Sequence, residues 1–275
     1  MTRIVVTSDL HYHITPEEKL RALAGVIAAN QPDLTVLAGD LGEPLEHFAA
    51  CLRCFAGLPG TVAVLAGNHD VWKRKGEHSS QDLWERLLPA TTRDAGMLWL
   101  EDSVWRHSGG AVAGSLAWYD YSAVDPAVLP YPSEYFAQVK ARYNPDARFI
   151  DWPWTDLEMA ARLGDALCQR VTTLEADPGV RGIVVVTHVP IFDAQMCRKP
   201  LDREWGFSNA YFGNLTLGNR LRDIAKLRLV VSGHTHIGRK GQVQREGDPT
   251  KAPIAVEVIP SDYGHPAFEV YDLEW

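Results

Sequence analysis

Ile4-Val5-Val6-Thr7-Ser8-Asp9-Leu10-His11 is a short apolar run that stops abruptly in a carboxylate and an imidazole. The same arrangement returns four times. Leu34–Ala38 runs into Asp40, residues 62–66 into Asn68 and His69, residues 183–187 into His188, and residues 229–232 into His234 and His236. Apolar runs of this length, bounded by Gly, Pro or polar residues, predict buried strands.

Helical spacing fills the intervals. Residues 16–30 place Leu20, Leu23, Ala24 and Ile27 on one face, with Thr15 and Glu18 set for a capping box and Pro16 suited to the first turn. Residues 46–55, 81–88, 156–175 and 215–225 read similarly. Strands alternating with helices imply parallel βαβ units, whose functional loops lie beyond the carboxyl ends of the strands. Five loops bearing potential ligands should therefore converge on one edge. Residues 97–105, 111–115, 254–259 and 267–273 predict further strands, several without intervening helices, and so a second, more antiparallel sheet. With no repeat or flexible linker, residues 1–275 read as one domain.

Residues 116–155 stand apart as an aromatic-rich insertion. Trp118, Tyr119, Tyr121, Tyr131, Tyr135, Phe136, Tyr143, Phe149, Trp152 and Trp154 crowd it, and five prolines break any long helix. A local hydrophobic core or an oligomer contact is favoured here over a platform for a flat substrate group.

Composition narrows the function. Of 275 residues, 46% are hydrophobic and 23% charged, which excludes a disordered or fibrous chain. A net charge of −8 argues against general binding to nucleic acid or anionic membrane. A phosphate ligand stays open, because bound cations reverse a local field. No run is apolar enough for a membrane span or a signal peptide, so a cytoplasmic protein is expected. Cys51, Cys54, Cys168 and Cys197 are too few for a disulfide framework. Cys51 and Cys54 lie in a helical pattern without a second Cys or His pair and are not read as a metal or redox site.

Asp9 and His11 are two residues apart, and in an extended chain both point the same way. His234 and His236 repeat the spacing, and Gly39 lets the chain turn tightly before Asp40. Asp9, His11, Asp40, Asn68, His188, His234 and His236 form a mixed set suited to divalent Mn, Fe or Zn rather than Ca. Seven donors exceed the needs of one ion and are right for two ions sharing a bridging carboxylate. Such a pair suits in-line displacement at phosphorus.

In these blocks the sequence resembles the calcineurin-like metallophosphoesterase superfamily, in its bacterial-type phosphatase and phosphodiesterase branches. The blocks occur in order as Asp9-Leu10-His11, Gly39-Asp40-Leu41-Gly42-Glu43, Gly67-Asn68-His69-Asp70, Thr187-His188 and Gly233-His234-Thr235-His236. The resemblance implies an α/β fold, a four-layer α/β/β/α sandwich with a dinuclear metal site at the C-terminal ends of its strands. It implies that Asp9, His11 and His236 hold one metal, that Asn68, His188 and His234 hold the other, and that Asp40 bridges them. A bridging hydroxide would attack phosphorus in a phosphate mono- or diester of small or medium size. His69 would protonate the leaving oxygen, and Asp70 would orient His69. Glu43, Pro44 and Asp70 depart from the protein-phosphatase branch and disfavour a phosphoprotein substrate.

Other readings come from other classes. A non-catalytic scaffold of the same fold would commonly have lost ligands, whereas every position here is filled. A nuclease is disfavoured by the acidic balance. His13 reads as an exposed loop residue before it reads as a pocket wall, His265 reads as structural, and His47, His78 and His107 as surface residues. Lys73-Arg74-Lys75 and Arg198-Lys199 read as solvated runs before they read as phosphate contacts.

Overall fold

The computed structural model describes residues 1–74, 78–247 and 250–275. The chain runs β1 (Thr2–Thr7), α1 (Glu17–Ala29), β2 (Leu34–Ala38), α2 (Leu45–Cys54) and β3 (Thr61–Leu65). A helical stretch follows as α3 (Ser80–Asp82), a π turn (Leu83–Leu87) and α4 (Leu88–Asp94). Then come β4 (Leu98–Trp99), β5 (Val104–His107), β6 (Gly110–Ser115), α5 (Ser133–Tyr143), α6 (Asp146–Phe149) and α7 (Asp156–Ala176). The last part holds β7 (Gly182–Thr187), α8 (Arg203–Asn209), α9 (Leu215–Leu221), β8 (Leu227–Ser232), β9 (Arg239–Val243), β10 (Ile254–Val258) and β11 (Phe268–Leu273).

Two sheets result, ordered β11-β1-β2-β3-β4 and β5-β6-β7-β8-β10-β9. Pairing is parallel in the middle of both and antiparallel only at β11, β5 and β9. The second sheet has two antiparallel pairs and the first has one, so the second is the more antiparallel, but only at its two edges. The stretch 97–105 is not one strand either. β4 pairs with β3 in the first sheet and β5 with β6 in the second. The chain crosses between sheets where Leu100 packs into the space separating them.

Strand periodicity explains the near-continuous apolar runs, since alternate side chains enter different cores. Ile4 and Val6 of β1, Val36 of β2, Leu65 of β3, Val184 and Val186 of β7 and Val231 of β8 fill the layer between the sheets. Val5, Leu37 and Val64 face outward onto Leu20 and Ile27 of α1 and Phe48 and Leu52 of α2. Ile183, Val185 and Val230 face the other way, onto Leu167 and Val171 of α7 and Leu217 and Leu221 of α9. Each fully buried side chain of this kind contributes roughly 1.5–3 kcal/mol. The order helices, sheet, sheet, helices is the four-layer sandwich.

The helix-start reading at Thr15 does not hold. Pro16 occupies the cap position without a side-chain bond, and Thr15 Oγ1 instead accepts from the Gly264 amide at 3.2 Å. A capping box forms instead at α7, where Thr155 and Glu158 satisfy each other's amides. The aromatic insertion packs on the scaffold, with Trp118, Tyr119, Phe136 and Trp152 in the same core as α1 and α2. Among the described residues no helix is long and apolar enough to cross a membrane. All four cysteines are free thiols, Cys51 and Cys54 buried on α2.

One buried carboxylate ties the sheets together near their functional rim. Glu101 accepts from the Leu116 amide just past β6 at 2.7 Å and from the Ala66 amide just past β3 at 3.3 Å. Burial outweighs these bonds and the nearby Arg170, and pushes its carboxyl from 4.5 up to about 7. The folded chain thus holds a proton that the unfolded chain releases. The contribution of Glu101 to stability is fully present below about pH 4.5 and is lost as pH rises through about 7. Glu101→Gln should remove this component, which amounts to up to about 3 kcal/mol between pH 4 and 8. Urea unfolding of both chains across that range checks it, and equal pH dependence would contradict it.

Candidate metal centre

Backbone geometry brings the loops into one cluster. Asp9, His11, Asp40, His234 and His236 all have positive φ, between 41° and 71°. This left-handed conformation is uncommon for residues other than glycine, Asn and Asp, and clusters at functional sites. The extended geometry inferred for the two i, i+2 pairs is therefore not what aims them. Asp9 and His11 reach the same place by a tight zip, in which Asp9 N donates to Gly39 O at 3.0 Å and His11 N to Asp40 O at 2.9 Å. Across the sheets, His234 N donates to Asp9 Oδ1 at 3.0 Å, and within the first sheet's rim His69 N donates to Asp40 Oδ1 at 2.9 Å.

The loops leave β1, β2 and β3 of the first sheet and β7 and β8 of the second, so the five do not share one sheet edge. They meet where the carboxyl ends of the two sheets face each other, and all seven predicted donors converge there in two groups. In the first, His236 Nε2 lies 3.3 Å from Asp9 Oδ1 and 3.4 Å from His11 Nε2. Asp9, His11, Asp40 and His236 each offer an atom within 4.8 Å of the others. In the second, Asn68 Oδ1 lies 3.1 Å from His188 Nε2 and 3.0 Å from His234 Nδ1. Asp40 stands between them, with Oδ2 3.7 Å from His11 Nε2 and Oδ1 3.4 Å from His188 Nε2.

Outer hydrogen bonds fix which nitrogen each ring turns inward. His188 donates Nδ1–H to the Ala38 carbonyl at 3.0 Å, and His234 donates Nε2–H to the Tyr211 carbonyl at 2.9 Å. His236 donates Nδ1–H to Asp262 at 3.2 Å. When His188 gives up its inward proton, lone pairs of two imidazoles and an amide oxygen face one another around Asn68. Such a buried set is satisfied by a cation, and outer partners of this kind hold ligating imidazoles in register. Mixed N and O donors flanking a shared carboxylate fit a pair of divalent ions.

The electrostatics agree. Asp9 and Asp40 are buried, yet the imidazoles around them hold both carboxyls below the usual range despite the cost of burial. Burial works against charge on His188 and His236, but Asp40 raises the first and Asp9 the second to about 9. Burial, followed by the neighbouring His188, lowers His234 to about 4. The centre is built around positive charge.

His69 sits at the lip. Its ring stacks on Trp72 with centroids 3.7 Å apart, and its Nε2 is 3.9 Å from Asp40 Oδ2. Asp70 does not orient it. Asp70 accepts from the amides of Leu41, Gly42 and Gly67 at 2.8, 3.0 and 2.8 Å, clamping two loops together beneath the site. Burial, helped by Asp40, pushes its carboxyl up to about 7. Glu43 is the carboxylate nearest the ring's far nitrogen, with Oε1 3.7 Å from His69 Nδ1, beyond hydrogen-bond length, and 2.7 Å from Arg74. Despite its burial, the His69 ring is raised above its ordinary value by Asp40 and Glu43.

The remaining candidates divide. His13 Nδ1 lies 3.3 Å from Glu43 Oε2, on the wall of the site. His47 is half-buried rather than a surface residue and bonds the Glu43 carbonyl at 2.9 Å. His78 and His107 are exposed. Lys73 pairs with Asp151, and the Arg74 guanidinium lies over Phe149 at 4.5 Å; Lys75 is outside the described residues. Arg198 pairs with Asp193, and the Lys199 ammonium is 3.6 Å from the Trp205 ring centre. Asp146, Asp262 and Tyr263 are additions that no motif announced. Asp146 bonds Asn68, and the Tyr263 ring packs 4.6 Å from both His11 and His236.

The profile of the calcineurin-like phosphoesterases matches residues 2–238. A search of the curated proteins finds no match. Among solved structures, the chain is similar to phosphopantetheinyl hydrolase from Mycobacterium tuberculosis, with TM-score 0.70 and 18% identity over 96% of this chain and 90% of that one. It is similar to a dimetal phosphatase from Danio rerio, with TM-score 0.57 and 13% identity over 98% and 91%. TT1561 of Thermus thermophilus aligns with TM-score 0.52 and 14% identity over 96% and 90%. At these identities the likeness is one of fold.

Gly67 is where the close approach is most exacting. A Cβ there would lie 2.1 Å from Asp40 Oδ1 and 2.3 Å from Asp40 N. Gly67→Ala should push Asp40 out of place and weaken manganese binding by roughly tenfold or more, by analogy with losses on disturbing a ligand's supports. Titration calorimetry measures this, and unchanged affinity would contradict the placement of Asp40.

Proposed function

Because the chain belongs to the calcineurin-like phosphoesterase family, we propose that it hydrolyses phosphate mono- or diesters of small or medium-sized molecules at a two-cation centre. The observation that carries the reading is the pair of inward-facing donor groups on either side of buried Asp40. Asp9, His11 and His236 would hold one divalent ion of Mn, Fe or Zn, Asn68, His188 and His234 the other, and Asp40 both. When bound, such a pair activates the attacking water and offsets charge on the phosphate oxygens.

The chain's own residues supply the rest. His69, at the accessible lip, delivers a proton to the leaving oxygen. Glu43 faces its far nitrogen and favours the charged ring, while stacking on Trp72 holds the ring in place. Tyr263 and Phe212 border the two donor groups, beside His236 and His234 respectively, and present aromatic surface to whatever the phosphate carries.

The test loads the purified chain with manganese and assays p-nitrophenyl phosphate, its bis ester, nucleotides, sugar phosphates and a phosphopantetheinyl ester. The last is included because of the name of one structural neighbour. Turnover of at least one is expected; no turnover by fully loaded protein would contradict the reading. His69→Ala should lower kcat about 10²–10⁴-fold on alkyl esters, the usual worth of a general acid. The loss should be smaller on p-nitrophenyl esters, whose leaving group needs no proton, with metal content unchanged. Equal losses on both substrate types would remove His69 from the proton-donor role.

A further inference from the structure

The usefulness of Asn68 as a donor of the second group depends on which end of its amide faces inward, as that of His188 and His234 depends on the outer bonds already described. Its side chain ends in an acceptor oxygen on one side and a two-proton donor on the other. Turned over, it would aim an NH₂ group at His188 and His234 and repel a cation. The turn itself costs little unless a neighbour discriminates between the two ends.

That neighbour is Asp146, at the start of α6 in the aromatic insertion. It is fully buried and outside every recognised motif. Its Oδ1 accepts from Asn68 Nδ2 at 2.9 Å and from Trp72 Nε1 at 2.6 Å, and its Oδ2 accepts from the Tyr119 hydroxyl at 2.8 Å. An ionised carboxylate only accepts, so it tolerates only the NH₂ end of Asn68. With that end held, Oδ1 is delivered between His188 Nε2 and His234 Nδ1. The same Asp146 oxygen holds Trp72, on which His69 stacks.

We infer that Asp146 is a positioning residue for the second cation, and that the insertion completes that half of the centre by fixing the face Asn68 presents. The inference rests on the two-cation reading above. It gives the insertion a task beyond packing, because the scaffold loops alone place Asn68 without choosing its orientation.

The experiment measures manganese stoichiometry and affinity by calorimetry and elemental analysis, together with the electron paramagnetic resonance spectrum. The wild-type chain should bind two ions with an exchange-coupled signal. Asp146→Leu should keep the first ion, weaken the second roughly 10- to 100-fold, and show an isolated manganese signal. Asp146→Asn, which can still offer an oxygen to Asn68, should restore the coupled pair. Asn68→Asp in the Asp146→Leu background should also restore it, because a carboxylate has no wrong end; a purely structural role for Asp146 would not be rescued this way. Tyr119→Phe, which leaves Asp146 Oδ1 untouched, should retain both ions. If Asp146→Leu fails to fold, Asp146→Ala is measured in the same way. A wild-type chain that takes up no manganese overturns the two-cation reading and this one with it. Two coupled ions in Asp146→Leu, no rescue by Asn68→Asp, or loss of an ion in Tyr119→Phe overturns the inference alone.

Discussion

Electron pairs facing electron pairs are the constraint around which this molecule is arranged. Asp9 and Asp40 are buried carboxylates, and the inward nitrogens of four imidazoles and the oxygen of Asn68 close around them. Burying such groups together is costly unless positive charge joins them. The outer hydrogen bonds to Ala38, Tyr211 and Asp262 remove other ways out, because they commit the far nitrogen of three of the rings.

The fold exists in the form that makes this arrangement tolerable. Two mostly parallel sheets share a packed apolar layer, so the carboxyl ends of β1, β2, β3, β7 and β8 are held rigidly opposite one another. Loops at those ends then adopt left-handed backbone at five of the seven donor residues. Gly67 and Gly233 leave room where a Cβ would strike Asp40 or Asp9. Asp70 and Glu101 hold neighbouring loops by their amides, so the cost of strained backbone is borne by the scaffold.

Much of this was legible in the sequence for a physical reason. A strand buried on both faces must be apolar throughout, and a run such as Leu34–Ala38 that ends in Asp40 marks both the strand and its functional end. What was not legible depended on contacts between distant segments. Thr15 and Glu18 satisfy the local rule for a capping box, but Gly264 competes for the Thr15 hydroxyl. Asp70 is adjacent to His69, yet its chain direction turns it under the loops, and Glu43 from another loop faces the ring instead. Asp146 carries no signature, since a lone aspartate in an aromatic stretch shows nothing until folding brings it to Asn68.

The most direct test of the central claim is anomalous scattering from crystals of the chain soaked in manganese. The account predicts two peaks at the rim, one among Asp9, His11 and His236, the other among Asn68, His188 and His234, with Asp40 touching both. A vacant rim, or a single ion centred on Asp40, would contradict it.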